Sequence, residues 1–183
     1  MRPDARQRGW ALLETMLVVA LAVIVVALVL ANRMVLGDAV KEEQLVRQAQ
    51  TVSTLIDRLY PPTALDSSGY AGLNNAMIES IAPSAIKGGT NGQLRDAFGG
   101  AIVVSEENGN ATFKGMAKIE LQGIPSQHCV PLAGRLAQGF DVVMVGGFTI
   151  KRKPGVQYPP NTVALVCRFF ASGNTFNFTL YKM

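Results

Sequence analysis

The chain has 183 residues, of which 49% are hydrophobic, 7% aromatic and 16% charged, and 17 basic against 13 acidic residues give a net charge of +4. This length fits one domain with a core of ordinary size, but the charged fraction lies below the ~25% that is typical of soluble domains. The composition excludes a disordered chain, a collagen-like chain and an ordinary soluble protein. The net charge is too small to indicate nucleic-acid binding by itself.

An unbroken apolar run begins close to the N-terminus. Residues 16–31 are all apolar, and only Glu14 and Thr15 separate them from the apolar residues 10–13. As a helix, residues 10–31 are long enough to cross a hydrocarbon core of about 30 Å. The three Arg that precede the run predict a cytoplasmic N-terminus. Two ordinary interpretations are a secretory signal peptide cleaved after Ala31 and a plain signal anchor.

Neither interpretation accounts for Glu14. A carboxylate inside a membrane costs about 2.5–3.5 kcal/mol even on lenient scales, so we expect it to have a function. The alternative is that Glu14 lies near the interface and extends its carboxylate to water. Its surroundings form a pattern: a short basic leader ends in Gly9, the large apolar Trp10 follows, and Glu14 is the fifth residue counted from Trp10. This pattern over residues 9–14 resembles the N-terminus of type IV prepilins.

The resemblance implies how the N-terminus is processed. In prepilins, a membrane aspartyl peptidase cuts after the Gly on the cytoplasmic side and often methylates the new terminal residue. We therefore expect residues 1–9 to be a leader peptide that is removed between Gly9 and Trp10. Trp10 would be the modified residue, although it stands where Phe or Met is more usual.

Processing would also give Glu14 a charged partner. Cleavage leaves an ammonium group on Trp10, four residues before Glu14 on the same helical face. Two poorly solvated charges are tolerable mainly as a pair. By resemblance to pilins, Glu14 is expected to meet the ammonium of its own or a neighbouring chain and so to set the register of assembly.

The helical pattern continues beyond the apolar run. One apolar stripe recurs at helical spacing on an otherwise polar stretch, and its members are Leu45, Ala49, Val52, Ile56 and Leu59. Pro61 and Pro62 end the pattern. The sequence therefore predicts one helix over residues 10–60, about 75 Å long, with an apolar first half and an amphipathic second half. Gly37 lies between the halves, where it is either merely tolerated or allows local bending.

The remainder predicts a globular head. Residues 61–97 are rich in Gly, Ser, Asn and Pro and predict a connecting loop with a short helix at 73–81. The residues from 98 to 183 change to a strand pattern. We predict strands at 101–104, 111–121, 142–145, 163–170 and 176–181, a helix at 130–138, and turns at 108–110 and 172–174. The head is then α+β, an antiparallel sheet packed on the apolar stripe of the first helix.

A second resemblance lies in the head. Residues 96–101, followed by residues 123–129, are similar to the head of type IVb pilins, particularly those of thin conjugative pili. In those pilins an aromatic-Gly-Gly turn, here residues 98–100, opens the sheet, and a helix begins beside the first disulfide Cys. The two resemblances together imply the pilin fold over most of the chain. Residues 61–94 match nothing specific, and the C-terminal strands match in pattern only.

The chain has two cysteines, Cys129 and Cys167. An even number of cysteines in an exported head predicts a disulfide, and the alternative is two free buried thiols. On the chain-entropy model a bridge over this loop contributes about 3–4 kcal/mol. By resemblance to pilins, the disulfide-bounded region 129–167 is a variable surface region.

The sequence predicts no enzyme, no metal site and no cofactor. His128 lies beside Cys129, but adjacent side chains rarely meet and a nucleophile also needs an orienting partner. One His and two paired Cys do not make a zinc site, and residues 99–100 lack the spacing of a phosphate loop. The basic triplet 151–153 is interpreted as a solvated loop, with contact to anionic glycans, lipopolysaccharide or DNA as the alternative.

We therefore expect a type IV prepilin, the major subunit of a type IVb pilus that serves adhesion, aggregation or mating. The resemblance implies self-assembly into a helical homopolymer, a prepilin peptidase, an inner-membrane platform, a motor ATPase and, in a Gram-negative cell, an outer-membrane secretin. The precursor would lie in the inner membrane with its head in the periplasm, and the filament would be extracellular and could contact a host or recipient cell. The alternatives are a minor pilin, a type II secretion pseudopilin, and a secreted binding domain cleaved after Ala31.

Overall fold

The computed structural model describes the backbone of residues 5–61, 69–88, 93–108, 115–152, 156–170 and 174–182. Within these ranges, the side chains of residues 5–13, 29–36, 156 and 170 are not described. The chain divides into two compact units, Met1–Val40 and Lys41–Met183.

The longest element is helix α1, Ala5–Leu59. In the second unit its apolar stripe is buried, with Leu45, Ala49, Val52 and Ile56 fully inaccessible to solvent and Leu59 partly buried. The predicted long helix with an amphipathic second half is therefore confirmed. The helix begins at Ala5, inside the predicted leader, and ends before Pro61, whose ring cannot continue it.

Three shorter helices belong to the second unit. Helix α2 is Asn75–Ile81, helix α3 is Cys129–Gly139 and helix α4 is Pro160–Phe170. The side chain of Asn74 caps α2 by accepting a hydrogen bond from the Met77 amide at 3.1 Å, which satisfies one of the free donors of the first turn. Helices α2 and α3 correspond to the two short helices that the sequence predicts.

In the part of the chain that the structure describes, seven strands form one antiparallel sheet. The strands are β1 Leu94–Arg95, β2 Ala101–Glu106, β3 Ala117–Pro125, β4 Val142–Val145, β5 Phe148–Arg152, β6 Val156–Gln157 and β7 Thr175–Lys182. Their order across the sheet is β1-β2-β3-β7-β4-β5-β6. The last strand of the chain thus lies near the centre and joins β3 to β4.

One face of the sheet forms the core of the second unit. Ile119 pairs with Leu180 and Leu121 pairs with Phe178, and all four side chains are fully buried in the same apolar cluster as the α1 stripe. On the other face Lys118 lies 3.9 Å from a carboxylate oxygen of Glu107. This inward-apolar, outward-polar alternation is the expected pattern of an antiparallel sheet covered on one face. The predicted α+β class is therefore confirmed.

One predicted element is wrong. The sequence predicts a strand over residues 163–170, which include β-branched and aromatic residues, but these residues form the main part of α4. Val166 and Cys167 are buried while Leu165 and Arg168 are exposed, which is a helical rather than an alternating pattern. The predicted hairpin between residues 163–170 and 176–181 is wrong for the same reason, and residues 171–173 lie outside the described part.

Other strand bounds differ from the predicted ones. Strand β3 begins at Ala117 and continues to Pro125, whereas the prediction was 111–121. Residues 109–114, including most of the predicted turn at 108–110, lie outside the described residues. Strand β1 lies in the segment that was predicted to be a connecting loop, and strands β5 and β6 were not predicted.

Candidate functional site

Residues 14–28 of α1 present apolar side chains that the chain itself does not cover. Every residue in this range is exposed, and ten large apolar side chains have exposed fractions between 54% and 73%. They are Met16, Leu17, Val18, Val19, Leu21, Val23, Ile24, Val25, Val26 and Leu28. Soluble monomers rarely expose a contiguous apolar surface of this kind, and such surfaces mark binding sites for proteins or membranes.

The predicted processing motif falls at the start of this segment. Gly9 and Trp10 lie within α1, and their side chains are outside the described residues. Glu14 is exposed at the beginning of the apolar segment. Taken over the residues with described positions, no helix reaches the length and hydropathy needed to span a membrane.

The predicted disulfide is confirmed in the second unit. Cys129 and Cys167 are bonded, and their Cα atoms lie 5.8 Å apart. Cys129 is the first residue of α3, and Cys167 lies in the third turn of α4. The bond therefore fastens two helices to each other.

The segment between the two cysteines forms helices and strands of the second unit. It contains α3, the strands β4 to β6 and α4. This segment supplies three of the seven described strands. Because β4 also pairs with β7, the C-terminal strand joins these three strands to the rest of the sheet. A disulfide that closes so long a segment stabilises mainly by restricting the unfolded chain.

The basic triplet in this segment does not present three exposed charges. Lys151 is buried, and its Nζ donates hydrogen bonds to the carbonyl oxygens of Ala137 and Phe140, the latter at 2.7 Å. These carbonyls are at the C-terminal end of α3, where a cation is favoured by the helix dipole. Arg152 is exposed and Lys153 lies outside the described residues. The structure therefore assigns Lys151 a packing role.

His128 joins α1 to the start of α3. Its Nδ1 lies 2.9 Å from Oε1 of Glu42, and its Nε2 lies 3.1 Å from the amide nitrogen of Gln127. Since the carboxylate accepts and the amide donates, the neutral ring carries its hydrogen on Nδ1. Arg135 also approaches Glu42 at 3.9 Å, and the Phe98 ring centroid lies 4.7 Å from that of His128. The sulfur of Cys129 is in the disulfide, so no Cys–His nucleophile exists here.

A second polar contact holds α1 to the last strand. Lys182 of β7 donates from Nζ to Oγ of Ser53 at 2.9 Å and to a carboxylate oxygen of Asp57. No sequence pattern indicates this contact or the one between Glu42 and His128, because the partners are far apart along the chain.

The aromatic-Gly-Gly turn lies between β1 and β2 and is organised by Asp96. Oδ1 of Asp96 accepts hydrogen bonds from the amides of Phe98 at 2.8 Å and Gly100 at 2.9 Å. Burial raises the pKa of Asp96, and the amides of Gly100, Phe98 and Gly99 lower it in part. A Cβ on Gly100 would lie 1.7 Å from the carbonyl oxygen of Gln122, so only Gly fits there.

The comparison with known families decides the identity. The family model described as PilS N terminal matches residues 43–179. The chain belongs to the PilS family. The match covers most of the second unit and begins after the apolar segment, so it does not include residues 9–14.

Known relatives of this PilS-family chain are pilus subunits. It is 27% identical over 146 residues to the major structural subunit of the bundle-forming pilus of Escherichia coli O127:H6, covering 76% of this chain and 72% of the relative. It is 28% identical over 142 residues to the subunit of the same name from Escherichia coli O111:H-, covering 74% of this chain and 70% of the relative.

Two solved structures share its fold. The type IVb pilin from Salmonella typhi has a TM-score of 0.53 at 20% identity, with 76% of this chain and 98% of that chain covered. TcpA, a type IV pilin from Vibrio cholerae El Tor, has a TM-score of 0.53 at 13% identity, with 78% and 99% covered. The predicted resemblance to type IVb pilins is therefore confirmed, and the PilS-family chain is a type IVb-like pilin.

Proposed function

We propose that this chain is the precursor of the major structural subunit of a type IV pilus and that residues 10–31 are its polymerisation segment. The observation that carries the proposal is the exposed apolar helix surface of residues 14–28 on a PilS-family pilin. The relatives named as major structural subunits favour a major over a minor subunit.

The energetics favour removing this surface from water. Fully burying a large aliphatic side chain contributes about 1.5–3 kcal/mol, and ten such side chains are more than half exposed. Even at about 1 kcal/mol each, their gross burial outweighs the ~2.5–3.5 kcal/mol that Glu14 costs in an apolar environment. Lipid would cover the apolar side chains of this segment before assembly, and copies of the same segment would cover them in the filament.

Glu14 then determines the register of packing. Cleavage between Gly9 and Trp10 by a prepilin peptidase would create an ammonium on Trp10, which would be the residue that is methylated. In a filament the carboxylate of Glu14 and a Trp10 ammonium would neutralise each other, since a charge left unpaired in an apolar environment is strongly unfavourable. An apolar helix alone could slide along its neighbours, whereas this ion pair fixes one axial position.

The resemblance to type IV pilins supports the following assembly pathway. The precursor would be held in the inner membrane, with residues 98–183 in the periplasm as the head. A platform protein and a motor ATPase would extract it from the membrane, and a secretin would let the filament leave a Gram-negative cell. The filament would be extracellular and would contact other cells through its heads.

The mass of the mature N-terminus tests this proposal. Chains sheared from the cell surface should begin at Trp10, with or without one added methyl group, and electron microscopy should show abundant filaments made of them. A mature chain that begins at Asn32 would instead support a secreted domain and would contradict the proposal, because the polymerisation segment would be lost. Scarce subunits inside filaments of another protein would indicate a minor pilin.

A further inference from the structure

A small apolar pocket lies where the helices α3 and α4 meet the strands β5 and β6. It has a volume of about 100 Å³ and is partly open to solvent. Its lining includes residues of both helices and of β5, among them Gly134, Ala137, Val163 and Ile150. This pocket, called the α3–α4 pocket below, lies within the segment between the two cysteines and shares no lining residue with the apolar segment of α1.

The elements around the α3–α4 pocket are fastened to one another. The disulfide joins α3 to α4. Nζ of the buried Lys151 in β5 donates a hydrogen bond to the carbonyl oxygen of Ala137 in α3. The amide of Tyr158 donates to the carbonyl oxygen of Ile150 at 3.1 Å. A ligand therefore meets a pocket that is already formed, so little free energy is lost in ordering the protein around it.

The polar groups of the pocket belong to two neighbouring residues. Gln157 is the last residue of β6, Tyr158 follows it, and both are exposed. The Tyr158 ring packs beside that of Phe148, with 5.7 Å between the ring centroids. The nine described residues that line the pocket are all uncharged. The pocket thus combines an apolar interior with an aromatic ring, a hydroxyl and a primary amide, and its lining carries no charge to pair with an ionic ligand.

The size and the chemistry of the pocket together restrict its ligand. A closed cavity of about 150 Å³ holds one benzene molecule, so this smaller, partly open pocket accepts one six-membered ring that stays partly outside. The Tyr158 hydroxyl and the Gln157 amide each donate and accept hydrogen bonds, as a sugar hydroxyl does. The C–H groups of a sugar ring also suit the electron-rich face of an aromatic side chain.

We propose that the α3–α4 pocket binds one uncharged pyranose ring of a saccharide. The ring lies against Tyr158 and pairs its hydroxyl groups with Gln157 and with the Tyr158 phenol. An apolar side chain of a partner protein fits less well, because it would cover these two polar groups without pairing them, which is unfavourable. An anionic sugar would find no cation in the described lining.

A single pocket of this size binds weakly, and a filament would compensate for this. One monosaccharide in a small pocket is expected to have a Kd in the millimolar range. Many copies along one filament would raise the affinity for a surface that carries many such rings by about 10²–10⁴-fold. The inference rests on the proposed function for this gain and names the class of surface ligand that the heads contact, whereas the single site is measurable without filaments.

Saturation-transfer NMR on the full chain in a sugar-free detergent tests the single site. The probes are methyl β-galactopyranoside, methyl α-glucopyranoside and methyl N-acetyl-β-glucosaminide. At least one of them should receive saturation from the protein, with a Kd in the millimolar range. Absence of binding by all three would overturn the inference. Tighter binding of N-acetylphenylalanine amide, in competition with the sugars, would also overturn it, because the pocket would then accept a protein side chain.

Gly134→Leu blocks the pocket without removing a polar group that would bind the ligand. A Cβ at Gly134 has no heavy atom within 4 Å, so the new side chain has room in the pocket, and Leu is a better helix former than Gly. Binding should weaken by about tenfold or more. The matched control Gln138→Leu adds the same side chain at an exposed position of α3 outside the lining and should bind normally. Equal binding by the two variants would overturn the proposed location.

Tyr158→Ser covers the case in which Gly134→Leu does not fold. Tyr158 is 37% exposed, so its replacement should alter head melting little, whereas sugar binding should be lost with the ring. Unchanged binding would overturn the inference.

Filaments then distinguish two sources of the sugar. Retention on immobilised neutral glycans of animal cells would indicate a host surface, retention on lipopolysaccharide would indicate a bacterial one, and Gly134→Leu should abolish either. Retention that persists in Gly134→Leu filaments would overturn the inference. A chain that binds the probes but forms no filaments would support the pyranose site while contradicting the proposed function.

Discussion

Residues 14–28 and the unit Lys41–Met183 use the same kinds of apolar residue in opposite ways. In the second unit large aliphatic side chains such as Leu45, Ile119 and Leu180 are fully buried by their own chain. In residues 14–28 each large apolar side chain is more than half exposed. Hydrophobic composition alone therefore does not indicate a core, and what matters is whether the chain itself supplies the surface that covers the side chains.

The two regions differ in what stabilises them. The second unit has its own core, disulfide and buried polar contacts, so its folding should depend on its own residues. The apolar segment gains its favourable energy only from surroundings outside the chain. Variants should accordingly divide into those that affect assembly and those that affect melting of the head.

The largest effect is expected from Glu14→Gln. The substitution keeps size and polarity but removes the charge that would pair with the Trp10 ammonium, so filaments should be lost. The core and the disulfide of the second unit are formed by other residues, so its melting temperature in detergent should be unchanged. Electron microscopy for filaments and thermal melting of the second unit, done on the same preparation, check both expectations. Normal filaments would contradict the proposed register role.

The next largest effect is expected from removing the disulfide. Replacing Cys129 and Cys167 together by Ala should lower the free energy of unfolding by about 3–4 kcal/mol, which corresponds to a decrease in Tm of about 10 °C at this chain length. Proteolysis should become faster in the segment between the two positions. An unchanged Tm for the detergent-solubilised variant, or for the reduced chain, would show that the disulfide does not carry this stability.

A smaller, pH-dependent effect is expected from Asp96→Asn. Burial raises the pKa of Asp96, so the folded state holds its proton more tightly than the unfolded state does. The free energy of unfolding therefore falls as the pH rises through this raised pKa. Asn retains an oxygen that can accept the amide hydrogen bonds of Phe98 and Gly100 without carrying a charge. The variant should melt above the unmodified chain at pH 7.

The sign of the Asp96 effect is checked by repeating the melting at pH 4. Because the unmodified side chain is increasingly protonated there, the advantage of the Asn variant should shrink. All other titrating groups are shared by the two proteins, so the difference in Tm isolates this carboxyl group. A difference that stays constant with pH, or that grows on acidification, would contradict a raised pKa.

Local patterns predicted the elements whose packing follows from neighbours in the sequence. The stripe from Leu45 to Leu59 predicted the buried face of α1, because helical spacing places its members on one side. In contrast, α4 was predicted as a strand, because β-branched and aromatic residues favour strands. The overlooked signal was Pro160, which is favoured at a first helical position. The hairpin of β4 and β5 had its own overlooked signal in Gly146 and Gly147.

The residues of the candidate site also divide into those that a local sequence pattern indicates and those that depend on tertiary packing. The roles of Gly9, Trp10 and Glu14 rest on a contiguous motif and stay predictions. The two cysteines could be paired from the sequence because there are only two. The contacts of His128 with Glu42 and of Lys182 with Asp57 join residues far apart in sequence. Lys151 appeared to be part of an exposed basic triplet, and only the position of the C-terminal end of α3 makes its burial favourable. These features depend on tertiary packing and have no local pattern.

The smallest effect is expected from Glu43→Gln, which is the matched control for Glu14→Gln on the same helix. Glu43 pairs with Arg47 one turn later, and both side chains are exposed. Such pairs contribute about 0.3–0.5 kcal/mol, so Tm should fall by less than about 2 °C and filaments should form normally. If Glu43→Gln also abolished filaments, loss of an acidic side chain anywhere on α1 would be enough, and the position of Glu14 would have no special importance. Only a loss confined to Glu14→Gln supports an ion pair that sets the register.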